Sequence, residues 1–557
     1  MSRQSKTAIV NSALWAAYGD ALGFITELAD RSTLKRRTGV SEVRHAIPWK
    51  RGVGGKYGAT VELPAGCYSD DTQLRLATSR AIRGDGYFDV ESFAKIELPV
   101  WLSYSLGGGT STKAAASGLS RSDVNWFSNF YTTKFSNYLE AGGNGGAMRI
   151  QPHIWASHRK SEDHLLLRDV VRNVVCTHGN PRAIVGACFH ALCLAYALQS
   201  GDVPEPSTWA DIVQRLSVAC EVMRGDHDLS TFWLPVWEQR TKSKLEDAFQ
   251  RVQRELKDDL MIVSDVLKQP EQNTYQAIVK SLGAFDSASR GSATKTAILS
   301  SVLSWMFRTQ PIPAALVEAV NVLGSDTDTI ATMTGAIMGA VSNAEPEGDL
   351  LDRQYIKDEA IRLFEIGVGD RQQKSFKYPD LMNWRPPKTM MDAVGSAHEM
   401  VAVLGLGSAR SIGDKWESRG KDSCVWQWLK LSFGQTILAK QRKNLPQFSN
   451  NTQSPNKDLG GEKQMPTKQL NSIGEQVDLF DRNRARREQD TPNRGVDELT
   501  NEAIRSGFNP EVIGKHVLEL SERPNAIELG LAYVAVVVKA KRARIQAQAK
   551  SSLRVAD

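Results

Sequence analysis

Apolar residues return every three to four positions along most of the first 400 residues. "TAIVNSALWAAYGDALGFITE" (7–27) carries that period, as do "DTQLRLATSRAIRG" (71–84) and "SATKTAILSSVLSWMFR" (292–308). So does "NPRAIVGACFHALCLAYALQSG" (180–201), with Pro181 near its start and Gly201 at its end. Each reads as a helix with a conventional stop. Strand-like alternation with hairpin turns is nearly absent, so the expected fold is an all-α, compact multi-helix core over residues 5–400. Residues 401–445 are read as a helical extension. Several of the helices are rich in Gly, Ala, Ser and Thr, which lets helix axes approach closely at a cost in intrinsic helicity.

The pattern then breaks. Residues 446–495 are polar and rich in Asn, Gln, Pro and charge, which predicts a disordered linker. Its "RNRARR" cluster reads as a solvated charge run. Residues 496–548 return to helical spacing and predict a small helical C-terminal module. This module is the candidate surface for a protein partner or for self-association. Its basic "KAKRAR" end leaves contact with nucleic acid open, although cations also suit a helix C-terminus.

Composition narrows the class. A chain of 557 residues with 41% hydrophobic content can bury a large core in more than one domain. The net charge of +6 is spread among balancing acids and makes no case for nucleic-acid binding. Six cysteines without regular spacing do not form a disulfide framework, and Cys188 and Cys193 read as small packed hydrophobes. The first residues lack a secretory leader pattern, and no stretch reads as a membrane span. A reduced, cytoplasmic location without membrane contact is expected.

Five short stretches carry candidate chemistry. "GDALGFITE" (19–27) places Asp20 and Glu27 two helical turns apart. "YSDDTQL" (68–74) and "GSDTDTIATMTGAIMGA" (324–340) each put two carboxylates and neighbouring hydroxyls at a helix start. One such cluster is ordinarily a cap favoured by the helix dipole. Two of them, with a further acid near Gly23, suggest hard oxygen ligands for two Mg²⁺ ions, with Mn²⁺ a possible substitute. "GGNGGAMRI" (142–150) and "SLGGGTSTKAA" (105–115) are glycine-rich loops that could cradle phosphate. His178, in "CTHGNPRA" (176–183), precedes a helix.

In sequence and in order, these blocks resemble the motifs of the ADP-ribosylglycohydrolase family, which includes the dinitrogenase reductase-activating glycohydrolases. The resemblance covers residues 19–340 and implies an all-helical core with a binuclear metal cleft. It implies metal ligation by Ser69, Asp70, Asp71, Asp326, Asp328 and Thr329. Glu27 and Asp71 are implied as catalytic. The implied ADP-ribose wall comprises Gly143, Asn144, Gly145, Gly146, Ala147, Met148 and Arg149, with His178, Gly109 and Thr110. Ser69 stands where the family more usually has threonine, which keeps the oxygen. The implied function is Mg-dependent hydrolysis of the glycosidic bond between ADP-ribose and a modified target: a protein side chain, a nucleic acid or a small molecule. Two alternatives stand beside it. One is a catalytically weak ADP-ribose-binding or nucleotide-binding module with a partner-binding tail. The other is a metal-dependent phosphatase.

Overall fold

The computed structural model describes residues 3–370, 372–397, 400–420, 424–448, 494–523 and 526–553. They fall into two compact units, 1–462 and 463–557. Most of the linker expected over 446–495, including "RNRARR", lies outside the described residues.

The first unit is a helical core, as the periodicity predicts. At its centre α1 (Arg3–Thr26) lies along α6 (Thr327–Ala340). Both helices are almost entirely buried, and their small residues let the backbones touch. A Cβ on Gly19 would stand 2.3 Å from the Ala331 carbonyl oxygen, and one on Gly335 would stand 2.2 Å from that of Trp15. Any side chain at these positions would force the axes apart. Hydroxyls lock the register: Thr332 donates to the Ala16 carbonyl at 2.6 Å and Thr327 to that of Gly23 at 3.0 Å. Around this pair pack α2 (Asp70–Ala81), α4 (Pro181–Ser200), α5 (Ala293–Met306) and α7 (Arg353–Gly367), while α3 (Thr110–Leu119) packs on residues 93–101. Asn180 caps α4 through its side chain, and Gly201 ends it in the left-handed conformation.

Two expectations need correction. By length and composition, Lys6–Thr26 and Pro181–Ser200 do reach membrane-span size, but 94% and 78% of those windows are buried inside the protein. An all-round apolar helix can be the centre of a globular core, and that is where both lie. All six cysteines are free and buried.

The second correction is the region expected as a helical extension. It belongs to a five-stranded antiparallel sheet in sequential order: β3 (Val394–Ala397), β4 (Met400–Val403), β5 (Gly407–Glu417), β6 (Cys424–Leu431) and β7 (Thr436–Arg442). β6, "CVWQWLKL", is buried on both faces for most of its length and shows no alternation. β5, "GSARSIGDKWE", is largely exposed and polar. Neither strand has the period-2 signature. The sheet packs on the helical core through Asp352. Its buried carboxylate accepts hydrogen bonds from the Tyr68 hydroxyl (2.8 Å), the Thr436 amide (2.6 Å) and hydroxyl (2.7 Å), and Lys430 Nζ (2.7 Å). A separate hairpin, β1 (Trp49–Val53) and β2 (Ala59–Leu63), pairs Trp49 with Leu63 and Arg51 with Val61.

The second unit consists of α8 (Val496–Arg505), α9 (Pro510–Ser521) and α10 (Ala526–Leu553). Leu499, Ala503, Phe508, Leu520, Tyr533 and Val537 form its small core.

Candidate active site

The two acidic clusters are 256 positions apart in sequence (Asp70 to Asp326), and the packing of α1, α2 and α6 brings them together. A cavity of about 240 Å³ opens between the helix starts. Glu27, Asp70, Asp71, Asp326, Asp328 and Thr329 line it. So do Gly109, Thr110, Gly143, Asn144, Gly145, Met148 and His178. Of the residues expected at the site, Ser69, Gly146, Ala147 and Arg149 are absent from this lining.

Each acid has a local reason for its position. Asp70 begins α2, and its amide donates to the Leu106 carbonyl at 2.8 Å. Its Oδ1 accepts the Gly108 amide at 2.7 Å. The turn that makes this possible needs glycine at Gly107. Its φ is +96°, and a Cβ there would stand 2.5 Å from Asp70 Oδ1. Asp71 follows, with its amide held by the Ser69 hydroxyl at 3.2 Å. Its Oδ2 is buried with no hydrogen-bond partner. Asp326 and Asp328 open α6. Asp326 Oδ2 accepts from Asn144 Nδ2 at 2.9 Å, which ties the glycine-rich loop to the acids.

Asp20 is the residue that reading the sequence underrated. It lies fully buried on α1 and caps α2 from outside that helix. Its Oδ1 accepts the Ser69 amide at 2.9 Å and its Oδ2 accepts the Thr72 amide at 2.8 Å. It therefore sets the direction in which the Asp70–Asp71 pair leaves the turn. Arg75, also buried, donates to the Thr72 hydroxyl, the Met148 carbonyl and Thr332, and so joins α2 to α6.

Burial and mutual repulsion dominate the electrostatics. Burial first, then Glu27 and Asp20, push the Asp70 carboxyl up to about 7. Asp71 is pushed well above its ordinary value by burial, then by Asp20, Asp70 and Asp326. Asp328 is raised likewise by burial, then by Glu27, Asp71 and Asp326. Such a set of carboxylates calls for a compensating cation.

Glu27 stands at the end of α1, where its amide donates to the Gly23 carbonyl at 2.8 Å. Its carboxylate accepts from Arg51 Nη2 at 3.0 Å. His178 is buried, its Nδ1 stands 2.7 Å from the Thr177 hydroxyl, and burial lowers it to about 3, so the ring is neutral near pH 7.

The glycine-rich loops differ in part from the expected phosphate cradle. The Gly108 amide is committed to Asp70, and the Asn144 amide donates to the Gly291 carbonyl at 2.9 Å. The start of α3 is the better anion contact, because no side chain caps it and Thr110, Ser111 and Thr112 line the cavity. Gly108, Ser111 and Thr112 belong to the 105–115 stretch expected to meet phosphate, whereas Gly291 is a lining residue outside every motif.

Arg149 is a correction. It is fully buried and makes bonds to Asn173, Thr177 and the Gly145 carbonyl, with its guanidinium 5.3 Å from the Phe93 ring centroid. It holds the glycine loop from behind and does not form the wall. A Cβ on Gly146 would stand 3.0 Å from the Val174 side chain, and the buried Ala147 belongs to the same supporting turn.

Among the described residues, no group of three or more His, Cys, Asp or Glu side chains stands ready to hold a metal. The donor chemistry nevertheless fits a hard divalent cation. The candidate ligands are carboxylate and hydroxyl oxygens, they repel one another, and one buried carboxylate oxygen has no partner.

A family match spans all five motifs. The family model described as ADP-ribosylglycohydrolase matches residues 3–364. An uncharacterized protein of Archaeoglobus fulgidus is 25% identical over 364 residues, covering 64% of this chain and 95% of its own. A solved structure titled "ADP-ribosylglycohydrolase-related protein complex" is 19% identical. The match covers 66% of this chain and all of that one, with a TM-score of 0.40.

Proposed function

The chain belongs to the ADP-ribosylglycohydrolase family, and from that premise we propose that its cavity hydrolyses the glycosidic bond between ADP-ribose and a modified target. One observation carries this reading: five carboxylates from three distant segments line a single cavity together with a neutral histidine and an uncapped helix start. An acidic pocket alone would repel a diphosphate, whereas amide and hydroxyl donors at the start of α3 attract one.

In this reading the diphosphate lies against Thr110, Ser111 and Thr112, with Gly143 and Gly145 allowing close approach. The distal ribose points toward the acids. Glu27 takes a proton from the attacking water in this reading, and its ion pair with Arg51 keeps the carboxylate oriented. Asn144, anchored by Asp326 and Thr296, fixes the loop over the sugar. Asp70, Asp71, Asp326 and Asp328, with the Thr329 and Ser69 hydroxyls, would hold one or two Mg²⁺ or Mn²⁺ ions. Such ions supply charge neutralisation and a more acidic water. Asp71 is then a ligand that also shapes the catalytic face.

The test is release of free ADP-ribose from arginine-, serine- and nucleic-acid-linked conjugates, with Mg²⁺ and with chelator. Release that needs the cation supports the reading. Phosphate release instead of ADP-ribose, or binding without release, replaces it.

A further inference from the structure

We propose that Arg51 is a positioning residue for Glu27, braced by the C-terminal sheet, so that strands outside the family's matched region set the stance of the active-site glutamate. The inference rests on the catalytic role of Glu27 given above.

The chain of contacts is continuous. Arg51 Nη2 bonds Glu27 Oε2 at 3.0 Å, and both side chains are mostly buried. The guanidinium lies 4.3 Å from the Phe24 ring centroid and 5.7 Å from that of Trp49. Those two rings meet edge to face at 5.1 Å. Arg37 closes the other side, donating to the Ile25 and Glu27 carbonyls at 3.0 and 2.9 Å. The end of α1 is thus gripped by one arginine on its side chain and another on its backbone.

Arg51 lies on β1, and β1 ends on the C-terminal sheet. At the hairpin tip Gly54 has φ +77°, and a Cβ there would stand 2.4 Å from Trp426 Cζ2 on β6. The Arg419 amide, just past β5, donates to the Tyr57 carbonyl at 2.9 Å. The hairpin therefore rests on the sheet at its tip and on Glu27 at its side. The sheet spans residues 394–442, beyond the matched 3–364. A single ion pair holds a carboxylate only loosely in direction. Stacking on two aromatic rings and a fixed hairpin give it direction, which a planar guanidinium exploits better than an ammonium.

The test compares the full chain with Arg51→Met, Arg51→Lys, Trp426→Ala and Trp426→Phe. Two readouts are used: steady-state hydrolysis, and amide hydrogen exchange at residues 27–29. Arg51→Met should lower kcat by about tenfold or more while KM stays within about twofold, as expected when a reacting group is misoriented and binding is kept. Arg51→Lys should recover part of the loss. Trp426→Ala should act in the same direction, and Trp426→Phe, which keeps a ring under Gly54, should act less. In Arg51→Met and Trp426→Ala the Glu27 and Ala29 amides should exchange faster, while those of α2 stay protected. If either variant keeps wild-type kcat and wild-type exchange at 27–29, the inference is overturned. If the wild-type chain releases no ADP-ribose, the proposed function fails, and the exchange readout still decides whether the sheet braces this segment.

Discussion

Gly23 on α1 lies directly against Asp328 on α6: a Cβ on Gly23 would stand 2.3 Å from the Asp328 Cα. The centre of the core and one acid of the cavity are thus set by a single contact. Gly23 also supplies the carbonyl that receives the Glu27 amide and the Thr327 hydroxyl.

Gly23→Ala should therefore act on both stability and activity. The extra methyl has no space and must push the helices apart, a change that costs about 1–3 kcal/mol when a core is overpacked. Urea denaturation should show that loss. Hydrolysis should fall by more than stability alone explains at a temperature where the variant is folded, because Asp328 moves with the helix.

Asp20→Ala removes two hydrogen bonds at the start of α2. Loss of a helix cap costs about 1–2 kcal/mol. Hydrolysis should drop sharply although Asp20 does not line the cavity, because Asp70 and Asp71 lose their alignment. Activity near wild type in a folded Asp20→Ala would show that the cap does not position them.

The difference between Asp20 and its neighbours explains what a sequence can disclose. The acids of "YSDDTQL" and "GSDTDT" announce themselves because each cluster is contiguous. The partners of Asp20 are 49 and 52 residues away, so nothing local separates it from an ordinary polar helix residue. Arg149 misled in the opposite sense. Its place in a glycine-rich motif suggested a ligand contact, whereas Asn173 and Thr177 draw it into the core. The helical core was legible from its 3.6-residue period. The C-terminal sheet was not, because β6 is buried on both sides and β5 is a polar strand.

Arg149→Met should consequently impair folding more than ligand binding. It leaves the Asn173 side-chain oxygen and the Thr177 hydroxyl without their charged donor in the interior, a loss of a few kcal/mol. Thermal unfolding should show a large decrease. ADP-ribose affinity, measured by calorimetry on the folded fraction, should change little compared with a variant of a lining residue such as Asn144.

His190 gives a pH-dependent prediction. It is fully buried on α4, and its Nε2 stands 3.0 Å from Gln151 Nε2. That amide is a donor, so Nε2 accepts and the proton sits on Nδ1, which has no partner. Burial lowers the folded value to about 3, below the ordinary histidine value of about 6.5. Between these values the unfolded chain binds a proton that the folded chain refuses. The residue's contribution to stability is complete above about pH 6.5 and is lost as the pH falls, by about 1.4 kcal/mol per unit. His190→Gln lacks this loss. Its stability deficit against wild type at pH 7.5 should narrow by roughly 2 kcal/mol at pH 5 in paired urea titrations. A constant difference would mean that the ring takes up a proton inside the fold.

One measurement tests the acidic site most directly: release of free ADP-ribose by the wild-type chain, Asp70→Ala and Asp328→Ala, each with Mg²⁺ and with chelator. The predicted result is release by the wild-type chain with Mg²⁺, its loss on chelation, and its loss in both folded variants whatever the metal. Undiminished release from either variant would contradict the assignment of the two acidic helix starts as one catalytic site.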